Sequence, residues 1–70
     1  QGIAKALVQE AIGRARKLEG LEQIQLAVAH TQQAARKMYQ SLGFEVWGWE
    51  KYALFVNGQW IDEEHMVLFV

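Results

Sequence analysis

The sequence predicts an α+β fold in the order helix, strand, helix, strand, strand. Three observations carry that prediction. Apolar residues recur at helical spacing in two segments. Aromatic and β-branched residues crowd the last third of the chain. Asn57-Gly58 then divides that third as a hairpin turn would.

The first helix is expected over residues 2–19. Ile3, Ala4, Leu7, Val8, Ala11, Ile12, Ala15 and Leu18 give one wide apolar face, opposite Lys5, Gln9, Glu10, Arg14, Arg16 and Lys17. Glu10 and Arg14 form a favourable i,i+4 pair. Arg16 and Lys17 suit the negative end of the helix dipole, and Gly20 is a suitable stop. "IQLAV" follows as a short strand, with Ile24, Leu26 and Val28 on one face and Ala27 and Ala29 softening the other, so it is expected to be covered on both sides. Thr31 is the expected N-cap of a second helix, whose stripe is Ala35, Met38, Tyr39 and Leu42. Gly43 fits the left-handed residue past its end. The strand "GFEVWGWEKYALFV" carries Gly48, a bulge or bend marker. The strand "QWIDEEHMVLFV" returns from the turn. A two-residue turn at Asn57-Gly58 would set Phe55 opposite Trp60, Leu54 opposite Ile61, Lys51 opposite Glu64 and Glu50 opposite His65.

Seventy residues make at most one domain, and a chain this short buries only about 60% of its unfolded surface. There is no Cys to staple it, yet it is 51% hydrophobic with three Trp. Such a core implies a partner surface or a piece of something larger. The net charge of −1 argues against a nucleic-acid partner. No apolar run approaches the roughly 20 residues that span a bilayer, so no membrane partner is expected. Lack of Cys is compatible with a reducing compartment, and a cytoplasmic setting is the expectation.

The residues that could carry chemistry are few. "QGIA" opens a helix, whose first turn offers free N–H groups and the positive dipole end, an anion site in waiting. Gly2 allows close approach to the backbone, Ala4 is nearly as small, and Lys5 adds a cation. The plainer account is a loop residue before a helix. Tyr39 lies on an apolar stripe and reads first as a core residue; its phenol could also protonate a leaving thiolate of similar pKa. His30 and His65 stand apart, and in "DEEH" only Asp62 with Glu64, or Glu63 with His65, share a strand face, so a metal site is not expected. Trp47, Trp49 and Trp60 read as core or interface residues before pocket residues.

Together these residues resemble the C-terminal half of the GNAT superfamily of N-acetyltransferases. "QGIAKALV" is similar to the end of the family's acetyl-CoA phosphate motif, Arg/Gln-x-x-Gly-x-Gly/Ala, with Gly2 and Ala4 at its small positions. The motif's opening Arg or Gln would stand two places before Gln1. "VAHTQQAARKMYQSLGF" resembles the second cofactor motif, with Gln32 where the family commonly has Asn. "WEKYALFVNGQWIDEEHMVLFV" is similar to the closing antiparallel hairpin of many members. The resemblance implies that residues 1–70 are a partial domain of the acetyl-CoA N-acyltransferase fold, lacking its N-terminal half.

The resemblance also implies a function. Acetyl-CoA would be the co-substrate, held at Gly2, Ile3, Ala4, Lys5 and Gln32, and an amine would attack it directly. Tyr39 would protonate the departing thiolate. Arg36 and Lys37 could reach the adenosine phosphates, although a solvated helix face accounts for them more simply. The general base and most of the acceptor pocket would come from the missing half, so this piece alone would be inactive. The alternative from another class is a non-catalytic packing module, which self-associates as a dimer or pairs with a complementary half through an exposed first strand.

Overall fold

The computed structural model describes residues 2–70; the residues expected to open the phosphate motif lie outside them. The elements follow the expected order: α1 (Gly2–Ala15), β1 (Gln23–Ala29), α2 (Gln33–Ser41), β2 (Glu45–Val56) and β3 (Gln59–Phe69). The strands form one antiparallel sheet in the order β1-β3-β2. The last strand is therefore central, and β1 has a free outer edge among the described residues. No helix among those residues is long and apolar enough to cross a membrane.

Both helices pack on one face of the sheet. Ile24, Leu26 and Val28 alternate along β1, and Met66 and Leu68 lie opposite Leu26 and Ile24 on β3. Against these residues pack Val8 and Ile12 of α1, Ala35 and Tyr39 of α2, and Leu42 and Phe44 beyond it. The apolar face of α1 is wider than the surface it covers. Ile12 is buried, whereas Ile3, Leu7 and Leu18 are 79%, 62% and 63% exposed. β1 is likewise covered on one side only, since exposure alternates along it with Gln23, Gln25 and Ala27 outward. The expected two-sided cover is not present within these residues.

Two helix boundaries differ from expectation. α1 ends at Ala15 rather than residue 19. Lys17 and Leu18 donate to Arg14 and Ala15, three residues back, so the backbone tightens into a final 3₁₀-type turn. Gly20, at φ 87°, reverses the chain only after that. Thr31 is not the N-cap of α2: Gln32 holds that place, with no side-chain cap.

The C-terminus of α2, in contrast, is closed by backbone bonds. Gly43 takes φ 100° and donates to Gln40, while Phe44 N–H donates to the Tyr39 carbonyl at 3.1 Å. This is the Schellman pattern, which pairs the last orphan carbonyls and brings two apolar side chains together. Here they are Tyr39 and Phe44, edge to face at 5.6 Å. The Tyr-x-x-Leu-Gly-Phe spacing is thus a backbone requirement: only a residue tolerant of positive φ ends the helix there, and Phe44 follows it into the core.

The hairpin turn is as expected. Asn57 and Gly58 both have positive φ, and Phe55 faces Trp60 with Leu54 facing Ile61. Beyond that the register departs. Glu50 lies opposite Glu63, and Trp49 rather than Lys51 lies opposite Glu64. β2 carries two bulges, one between Val46 and Gly48 and a second between Glu50 and Leu54, and it is the second that displaces these pairs. Gly48 therefore opposes His65, yet the Glu50 carboxylate still reaches His65 Nε2 at 2.9 Å. The tryptophans are not core residues, being 52–58% exposed along the hairpin.

Asp62 holds the second bulge in place. One carboxylate oxygen accepts from the Tyr52 N–H at 2.9 Å, the other from the Trp49 indole at 2.8 Å. Its carbonyl accepts the His30 N–H at 3.0 Å, tying the bulge to the β1–α2 turn. Tyr52 needs the tether, because its φ of 56° is unfavourable for a side chain of that size. The Tyr52 N–H and then the indole hold the Asp62 carboxyl below its ordinary value of 3.8. Such a group binds protons more readily in the unfolded chain. Its contribution to stability is therefore complete above that ordinary value and is lost as pH falls through the lower, folded one. Asp62→Asn is expected to flatten the acid limb of the stability profile below about pH 4, read by thermal unfolding at a series of pH values. Acid limbs of equal steepness would detach Asp62 from that dependence.

Candidate functional site

The N-terminus of α1 and the outer side of α2 enclose an open groove of about 740 Å³. Gly2, Ala4 and Lys5 line it from α1. Gln32, Ala34, Ala35, Lys37, Met38 and Ser41 line it from the α2 side. The first turn of α1 contains no acidic residue, so no carboxylate competes for its free N–H groups. The small residues keep the walls low. A Cβ added at Gly2 would meet nothing within 4 Å, so the room beside that backbone is free for a ligand. Lys5 and Lys37 add positive charge on opposite walls. The Gln32 side chain makes no capping bond to its own helix, which leaves its amide free to face a ligand.

The structure therefore brings together four of the sequence-designated residues: Gly2, Ala4, Lys5 and Gln32. Ile3 is exposed and does not line the groove; only its backbone belongs to the same helical turn. Tyr39 sits apart from the groove lining, half-buried, with its ring packed on the core and on Phe44. It lies two turns along α2 from Gln32, about 10 Å by helix rise.

Sequence reasoning grouped Arg36 with Lys37. The structure separates them: Lys37 is exposed in the groove, and Arg36 turns inward to the buried Glu64 carboxylate at 2.8 Å. Adjacent helical residues point about 100° apart, which sends one to the ligand side and one to the sheet. Glu64 was missed because an acid in a run of acids reads as solvated; its position level with Met66 on the helix-facing side of β3 was the available signal. Glu50, Glu63 and His65 also converge, with donor atoms within 4.8 Å of one another, but Glu50 already engages His65 Nε2.

An acid-free helix start with small residues at its opening and lysines beside it is an arrangement suited to an anionic group. The sequence model of the Acetyltransferase (GNAT) family matches residues 1–44, and the chain belongs to that family. Solved structures agree. A GNAT-family acetyltransferase from Streptococcus pneumoniae is 31% identical, with a TM-score of 0.94, over 100% of this chain and 42% of its own. A phosphinothricin acetyltransferase from Sinorhizobium meliloti, solved in complex with AcCoA, is 31% identical with a TM-score of 0.90, over 100% of this chain and 37% of its own. A spermidine N-acetyltransferase SpeG from Vibrio cholerae is 28% identical with a TM-score of 0.89, over 97% of this chain and 40% of its own. The chain thus spans about two fifths of the length of these proteins. No curated protein sequence matches it.

Proposed function

We propose that these residues are the C-terminal half of an N-acetyltransferase that moves an acetyl group from acetyl-CoA to an amine. The observation that carries this reading is the convergence of Gly2, Ala4, Lys5 and Gln32 on one groove beside the helix that bears Tyr39. Backbone N–H groups at Gly2–Ala4 receive the diphosphate, and Lys5 and Lys37 balance its charge. Acetyl-CoA supplies the activated thioester. Gln32 offers its amide where the family commonly has Asn. Tyr39 gives its proton to the sulfur as the C–S bond breaks. Much of the rate comes from positioning. The N-terminal half supplies the general base and the acceptor pocket, and these 70 residues alone do not turn over. The test is a calorimetric titration of acetyl-CoA into the complete enzyme and into this piece. Saturable binding by the complete enzyme is expected, and none would overturn the reading.

A second reading has its own support. Ile3, Leu7 and Leu18 are exposed, and among the described residues β1 has an unpaired edge. Apolar burial is worth about 25 cal/mol per Å², and an open strand edge recruits partners. The piece alone is therefore expected to self-associate, or to pair with its complementary half. A stable monomer by light scattering at high concentration would count against this.

A further inference from the structure

We propose that Arg36 and Glu64 form a positioning pair, which sets the rotation and height of α2 on the sheet and thereby aims the Tyr39 hydroxyl. This rests on the proposed role of Tyr39. α2 has only nine residues and no side-chain N-cap, so by itself it is too short to be stable. Its placement must come from its contacts. The apolar ones, through Ala35, Tyr39 and Leu42, are non-directional and tolerate a small roll or slide. The ion pair does not, because Arg36 Nη2 meets Glu64 Oε1 at 2.8 Å on the central strand of the sheet. Arg36 precedes Tyr39 by three residues, so the two side chains share a helix face. Any roll of α2 that moves the hydroxyl strains this contact.

The pair is also poorly built as a stability element. Glu64 is 3% exposed, and a carboxylate buried this deeply loses its hydration. The contact is single rather than forked. Among the described residues, Arg36 Nε and Glu64 Oε2 are both buried without a hydrogen-bond partner. An apolar pair of similar volume would serve stability as well or better. What an apolar pair lacks is direction, and direction is what a proton donor requires.

The test uses the complete enzyme, with kcat and KM measured per folded molecule. Glu64→Gln is expected to lower kcat roughly 10- to 100-fold, the scale of a small misplacement of a reacting group, with KM for acetyl-CoA within about twofold. In a Tyr39→Phe background the same change should add almost nothing, because both losses fall on one proton transfer. If Glu64→Gln fails to fold, the paired change Arg36→Met with Glu64→Leu leaves no lone charge; it should fold and still lose kcat in the same Tyr39-dependent way. An unchanged kcat, or an equal loss with and without the Tyr39 hydroxyl, would overturn the positioning role while leaving the acetyltransferase reading intact. A neutral Tyr39→Phe would overturn both the role of Tyr39 and this inference.

Discussion

Tyr39→Phe in the complete enzyme is expected to lower kcat by roughly 100-fold or more, the usual loss when a general acid is removed. The substitution takes away one oxygen atom. The ring keeps its edge-to-face contact with Phe44 and its place against the core, and the helix end is closed by backbone groups that the change does not touch. Folding should therefore be preserved. KM for acetyl-CoA should change little, since the hydroxyl acts on charge that develops only as the thiolate departs. The decisive measurement is single-turnover kinetics, in which chemistry is observed directly. An unchanged rate there would return Tyr39 to a packing role.

Gly2→Val is expected to weaken acetyl-CoA binding roughly 10- to 100-fold, and to leave the fold in place. A charge-assisted hydrogen bond contributes about 1.5–3 kcal/mol, which corresponds to that range in affinity. The branched side chain would stand where the diphosphate must approach the first turn of α1. Its Cβ would meet nothing within 4 Å outside its own helical turn, so the loss is expected to report on ligand rather than on packing. Calorimetric titration against the parent enzyme, with circular dichroism as the folding control, gives the comparison. Equal affinities would remove the phosphate role from this helix start.

The sequence was informative where structure is local. Periodicity over Ala35, Tyr39 and Leu42 predicted α2, and Gly43 and Asn57-Gly58 marked positions where the backbone must take positive φ. It was silent where one strand dictates to another. Nothing in "WEKYALF" reveals that extra residues lie between Glu50 and Leu54, because a bulge is defined by its partner strand. The same reason hid Glu64, whose burial depends on α2 crossing above it. At the site, Gly2 and Lys5 were legible as the opening of a helix with a cation beside it. Their approach to Gln32 followed only from family resemblance, since no local pattern brings α1 beside α2. The end of α1 was misplaced because apolar spacing continues to Leu18 while the hydrogen bonds tighten after Arg16.

The unequal ends of α2 bear on how the helix breathes. Helices fray from whichever terminus holds fewer bonds. At the Tyr39 end, the amides of Leu42 and Phe44 share one carbonyl and Gly43 closes the turn. At the Gln32 end, no side chain caps the helix. Opening is therefore expected to start at the Gln32 end. Slow amide exchange at Phe44 beside fast exchange at Gln33 and Ala34 is the expected signature of this difference between the two ends.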